Sequence, residues 1–360
     1  MADTASPALP RAGRTSPGPS GAPGRGRGAR RPRARTLAPA LALAAGILVL
    51  AVFLSLAVGT QAVPLATVWQ ALVHPGHAYD DTVVQSRIPR TLLGLLCGAA
   101  LSVAGVIVQG LTRNPLGDPG LLGVNVGAAA TIVTGMVFFS SGTGQERVWL
   151  ALPGALAATA AVFLLGSGRR GATPVRLVLA GAVITAVVGA YIQALTLSNP
   201  SVFSDYRFWV IGSLAGRDSS LVAQVLPYLG LGFVLAALLP GSLNALALGD
   251  DTATALGAKV GRTRIIGGIA AALLCAGSTA AVGPISFIGL AVPHIVRTFT
   301  GADHRWLLPF AALVGPTLLL LADVLGRVIA SPQEVQVGVI TAFLGAPVLL
   351  FAVRRMRGRE

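Results

Sequence analysis

Apolar residues in this chain gather into runs of about 20, the length at which a helix crosses the hydrocarbon layer of a bilayer. Ten runs are predicted as spans: Leu37 to Val58, Thr91 to Leu111, Leu121 to Phe139, Val148 to Gly166, Val175 to Leu197, Leu221 to Leu239, Ile265 to Ala281, Phe287 to Phe299, Trp306 to Leu325 and Val335 to Val353. The first is too long for the apolar core of a signal peptide and lacks a convincing cleavage site, so it is read as retained. The eighth is short and broken by Pro293, a pattern that also suits a re-entrant segment.

One polar stretch interrupts this pattern, Pro240 to Arg264. It is too polar to cross, yet Ser242 to Leu248 and Thr252 to Ala258 are predicted as short helices, each ending near a glycine, Gly249 or Gly257. Asp250 or Asp251 can cap the second by accepting from the free N–H groups of its first turn. Two short helices in the largest loop of one face suggest a docking surface. A plain solvated loop fits the spacing equally well.

Composition fixes the solvent. The chain is 54% hydrophobic and 11% charged, with mean hydropathy +0.75. No soluble domain of 360 residues could bury so much apolar surface, so the fold class is an all-α polytopic membrane protein. Small residues recur every fourth position at Gly94, Gly98 and Ser102, and again at Gly123, Gly127, Thr131 and Gly135. Such stripes predict close helix packing more readily than a pore lining. Cys97 and Cys275 both lie in apolar runs, and neither a disulfide nor a Cys/His metal spacing is expected.

Charge fixes the orientation. Residues Met1 to Thr36 contain eight arginines and one acid, Asp3, and cannot build a core. They are read as a disordered basic tail that holds the N-terminus in the cytoplasm, rather than as a nucleic-acid arm. Ten spans then place both termini inside. Only Arg87, Arg90, Arg147, Arg207, Arg217 and Arg327 of the 27 basic residues fall outside. Dropping the eighth span would export the C-terminal RRMRGR cluster, against the positive-inside rule.

An internal echo runs through the spans. LLCGAALSVAG, Leu95 to Gly105, resembles LLCAGSTAAVG, Leu273 to Gly283. The second copy lies five spans on from the first, an odd step, so the copies run in opposite directions, as in inverted-repeat transporters. Chance similarity between Ala/Gly/Leu-rich helices is the competing explanation.

Little catalytic chemistry is present. No GxxxxGK[ST] loop occurs and Lys259 is the only lysine, so ATP is not bound in that manner. Asp323 is the one acid inside a span, four residues before Arg327, where an intrahelical ion pair accounts for it. Without midplane carboxylates, a proton- or sodium-coupled carrier is disfavoured. His74 and His77 enclose the turn-forming Pro75-Gly76, which argues against a helical metal site. His294 reads as a packing residue, and no nucleophile set for a membrane enzyme is assembled. On residue type alone, Arg87, Arg90 and Arg327 read as interface anchors, with carboxylate recognition on a partner as the alternative.

Several motifs in register carry a family resemblance. RIPRTLLGLLCGAALSVAGVIVQGLTRNPLGDPGLLGVNVGAAA, Arg87 to Ala130, resembles the signature of the FecCD-type permeases of iron–siderophore, haem and cobalamin ABC importers. GPISFIGLAVPHIVR, Gly283 to Arg297, resembles their second signature, LALGDDTATALG their cytoplasmic loop and GVITAFLGAPVLLF their last span. The resemblance covers about residues 37 to 354 and implies a ten-helix type II importer permease, 37–354, between a tail at 1–36 and another at 355–360. It implies a dimer, with itself or with a sister permease. It also implies no cofactor on this chain, with ATP and Mg on a separate cytoplasmic ATPase subunit, and a lipoprotein or periplasmic binding protein delivering the ligand. The coupling surface would comprise Leu246, Leu248, Gly249, Asp250, Ala255, Leu256 and Gly257. Arg87, Arg90 and Arg327 would pair with acids on the binding protein, and Gln109 would face the pathway. RNPLGDPGLLGV is closer to siderophore than to cobalamin permeases, so ferric siderophore is the expected cargo.

Overall fold

A computed structural model of the chain describes residues 34–59, 61–74, 76, 78–139, 146–168, 171–172 and 174–357. The predicted tail up to residue 33, the final residues 358–360, and Pro75 and His77 of the HxxH lie outside them.

Helices dominate because apolar runs this long leave the backbone only its own carbonyls to bond. The chain runs through α1 (Ala34–Ala57), α2 (Leu65–Val73), α3 (Tyr79–Thr112), α4 (Val124–Phe138), α5 (Glu146–Gly166), α6 (Pro174–Ser198), α7 (Pro200–Val210) and α8 (Ser219–Ala237). The polar loop holds α9 (Pro240–Leu246) and α10 (Asp250–Ala255), followed by α11 (Val260–Val282), α12 (Ile288–Thr300), α13 (His304–Ile329) and α14 (Val337–Arg357). Among the described residues, the only strands form a two-residue ribbon joining α5 to α6.

Seven described helices are long and apolar enough to cross a membrane. Two of them form the interior: 78% of the α3 window and 83% of the α11 window are buried, against 22% for α1 and for α6. These are the two helices that carry the internal echo. Gly267 of α11 lies against Leu111 and Ile107 near the end of α3, whereas Cys97 contacts Ser278 toward the other end of α11. The copies therefore pack antiparallel.

The small-residue stripes are where backbones meet. A Cβ on Gly98 would lie 2.5 Å from Pro316 Cα, and Ser102 donates across the same contact to the Ala311 carbonyl at 2.7 Å. Gly127 and Gly154 close the α4–α5 contact in the same way.

Two predicted spans prove to be broken. The eighth crossing combines a non-helical stretch, Gly283 to Phe287, with the 13 residues of α12. The helix alone is roughly 20 Å long, short of a hydrocarbon layer of about 30 Å, and the stretch before it turns through positive φ at Gly283 and Phe287. The third begins at Val124 rather than Leu121, after a 3₁₀ turn, Pro119–Leu122, with Asp118 as its N-cap. The two breaks meet where Gly289 lies under Pro119.

Candidate functional site

Two polar clusters sit at opposite ends of α3. The first surrounds the end of α1. Four carbonyls are left unpaired where a helix stops, and that end carries partial negative charge. Here two arginines from other helices supply the missing donors. Arg87 donates Nη1 to the carbonyls of Leu56 (2.8 Å) and Ala57 (3.1 Å), and Nη2 to Gln61 (2.6 Å). Arg327 donates Nη1 to Ser55 (2.8 Å) and Val58 (2.7 Å), and Nη2 to the Ser55 hydroxyl at 3.1 Å.

Asp323 is the anion that holds this cluster together. Arg90 grips it with Nε at 2.9 Å and Nη2 at 2.8 Å, a bidentate fork, and Arg327 Nη2 lies 3.0 Å from Oδ2, the oxygen that also accepts from Arg90 Nε. Arg90 also donates Nη1 to Glu334 at 2.7 Å. The predicted Asp323–Arg327 pair is present, but α3 supplies a second partner that the i,i+4 spacing could not announce. Arg87, Arg90, Arg327 and Glu334 line part of a cavity of about 420 Å³, with Gln61, Tyr79, Ser86 and Arg217 on its walls.

This geometry gives two of the expected docking arginines partners inside the chain. Arg327 is 1% exposed and Arg87 9%, and their N–H groups point at internal carbonyls. Within the chain they clamp α1 to α3 and α13. Arg90 is nearer the surface, with its Glu334 bond solvent-exposed.

The second cluster ties down the polar loop. The two predicted helices exist, each beginning two residues earlier than read from the sequence. Neither aspartate caps the second. Its N-cap is Gly249, at φ 104°, and the Asp250 carboxylate instead accepts from Arg264 at 2.9 and 3.2 Å and pairs with Arg113 at 3.4 Å. Asn244 of α9 is held by α13, donating to Asp303 at 2.6 Å and accepting from the His304 backbone at 2.9 Å. Burial pushes the Asp303 carboxyl up, but the Arg305 N–H and the Asn244 amide outweigh it and hold the group below the usual carboxylate range.

The expected coupling residues divide by exposure. Leu248 and Leu256 are 61% and 65% exposed, and Ala255 and Gly257 lie with them on the surface. Leu246 does not: it is 1% exposed, packed in the core beneath α9, because it faces the bundle three residues after Leu243. Gln109 is likewise interior. Its Nε2 lies 3.4 Å from the Gly289 carbonyl and 3.5 Å from that of Leu290, so within one chain it faces α12 rather than an open path. Among the described residues no group of three or more His, Cys, Asp or Glu is placed to hold a metal.

Known proteins share this architecture. The chain is 48% identical over 311 residues to the ferric enterobactin transport system permease protein FepD of Escherichia coli, covering 86% of this chain and 93% of that protein. It is 41% identical to the Fe(3+) dicitrate transport system permease protein FecD of the same organism, over 84% and 94% of the two chains. A solved chain of an ABC transporter classed as metal-chelate type, in an inward-facing conformation, superposes with a TM-score of 0.77 at 28% identity, covering 88% of this chain and 99% of that one. The family model described as the FecCD transport family matches residues 47–355. With the match extending from α1 into α14, this membrane permease belongs to the FecCD transport family.

Proposed function

We propose that this chain is the permease subunit of an ATP-binding-cassette importer that carries ferric siderophore across the cytoplasmic membrane by alternating access. The observation that carries the reading is the 48% identity to a ferric enterobactin permease over nearly the whole of both chains. FecD, a ferric dicitrate permease, supports iron chelates as the cargo class. Cobalamin or haem is the runner-up cargo within the same architecture. Hydrolysis of ATP is assigned to a separate cytoplasmic subunit, and the working unit to a pair of permeases, identical or sister chains.

Orientation follows from charge. With the loop of α9 and α10 in the cytoplasm, Lys259, Arg262 and Arg264 face the cytoplasm together with the basic segments at both termini. The ATPase then docks on Leu248, Asp251, Ala255, Leu256 and Gly257, the exposed part of that loop. On the outer face, Arg87, Arg90 and Arg327 are the arginines assigned to acids of the delivering protein, with Arg90 the most exposed of them and its bond to Glu334 the one open to solvent.

Two exposed leucines on a short polar loop give this reading its sharpest local test. Burying a leucine side chain contributes about 1.5–3 kcal/mol. Replacing Leu248 and Leu256 together with aspartate is therefore expected to weaken capture of the ATPase subunit at least about tenfold. Undiminished capture in a pull-down would move the docking surface elsewhere. The function itself is tested in proteoliposomes holding the permease with its ATPase and binding protein. Labelled ferric catecholate should accumulate only with internal ATP, and accumulation by the permease alone would overturn the assignment.

A further inference from the structure

The loop of α9 and α10 is pinned to the bundle in two places, and the two pins lead to different helices. Asn244 fastens α9 to the start of α13. Asp250 fastens α10 to the start of α11 through Arg264 and to the end of α3 through Arg113. Between the pins the chain bends at Gly249, whose φ of 104° lies where L side chains rarely go, and a Cβ there would sit 3.8 Å from Arg113 Nη1. The Arg113 guanidinium thus lies over the bend itself.

Arg113 reaches this position by an uncommon backbone route. It ends α3 in the left-handed region, φ 50° and ψ 29°, a conformation that non-glycine residues seldom adopt. Side chains of Arg113 and Asp250 are 39% and 40% exposed, so their bond is screened by water and adds little to stability. Its effect is positional. Of the bundle's helices, α3 and α11 are the most deeply buried, and α3 carries Arg90 roughly 35 Å further along its axis.

We propose that Arg113 and Asp250 form the joint through which movement of α10 is passed to α3, with Arg264 extending it to α11. Arg113 is a positioning residue: it touches neither nucleotide nor cargo. A push on α10 turns about Gly249 and reaches α3 through Arg113 and α11 through Arg264. This rests on the assignment of the ATPase to the exposed face of the same loop.

The test uses the full permease with its ATPase and binding protein in proteoliposomes, with labelled ferric catecholate as the probe. Three quantities are read: capture of the ATPase by immobilised permease, ATP hydrolysed, and iron moved per ATP. Arg113→Ala is expected to keep thermal stability and ATPase capture, while iron moved per ATP falls about tenfold, within the usual range of coupling between sites. Arg113→Lys, which keeps the charge, should recover most of the loss. Unchanged iron per ATP in Arg113→Ala would overturn the joint, as would a loss of stability that accounts for the whole defect. Failure of wild-type permease to capture the ATPase would instead remove the docking assignment, and the joint with it.

Discussion

Replacing Asp323 with leucine is expected to destabilise the permease by about 3–5 kcal/mol, because it strands buried arginines without their counter-ion. Asp323 is 1% exposed, accepts the Arg90 fork on both oxygens and is ion-paired with Arg327 through Oδ2. Arg327 is equally buried, and its Nε has no partner even with the carboxylate present. Leucine fills the space but leaves that guanidinium with only carbonyl and hydroxyl contacts from α1. Arg327→Met alone should also be costly, since it uncaps Ser55 and Val58 at the end of α1 and leaves Asp323 to Arg90. The decisive measurement is the double variant. Residues sharing one ion-pair network are non-additive, so Asp323→Leu with Arg327→Met should lose less than the two single losses together. Thermal unfolding of the purified protein in detergent reads all three, and additivity to within about 0.5 kcal/mol would show that the pair acts as two independent residues.

The same network shows where sequence reading ran out. An i,i+4 spacing discloses Asp323–Arg327, because neighbours on a helix face are fixed by its period. No local rule discloses Arg90–Asp323, whose partners are 233 residues apart. Length and hydropathy located all the helices that form the bundle. The predicted span Thr91 to Leu111 is the apolar part of a longer helix, α3, which starts at Tyr79 and runs through Pro89. That extension puts Arg87 and Arg90 within one helix at its mouth end, turned toward α1 and α13, rather than in a loop free to meet a partner. The surface helices α2 and α7 escaped notice too. Val68 and Ala71 of α2 face inward three residues apart, but nine residues give too short a period to stand out beside longer runs. In the polar loop, glycine placement gave both short helices, while the use of Asp250 as a clasp depended on Arg113 and Arg264, which only the fold brings together.

Gly105 carries the other large expected effect, and it concerns contact rather than charge. A Cβ built on Gly105 of α3 would run into the Gly289 carbonyl oxygen at the start of α12, and would lie 2.5 Å from the carbonyl carbon. The obstacle is backbone, so no rotamer change relieves it. Nor can α12 simply retreat: a Cβ on Gly289 itself would meet the Leu101 carbonyl at 3.0 Å and Pro119 at 2.9 Å, so this helix start is already wedged between α3 and the 3₁₀ turn. Overpacking of a well-packed contact costs about 1–3 kcal/mol, and a backbone-on-backbone clash belongs at the upper end. Gly105→Ala is therefore expected to lower thermal stability clearly. Gly189→Ala, in α6 with no atom within 4 Å of the added carbon, should change it by less than about 1 kcal/mol. Unfolding both variants side by side in the same detergent removes any general effect of alanine on helices. Equal stability of the two would mean that α3 and α12 do not touch at Gly105, and that the junction of the two broken crossings is looser than its geometry implies. A selective loss in Gly105→Ala would place that junction among the tightest backbone contacts of the bundle, with the glycine required for its missing side chain.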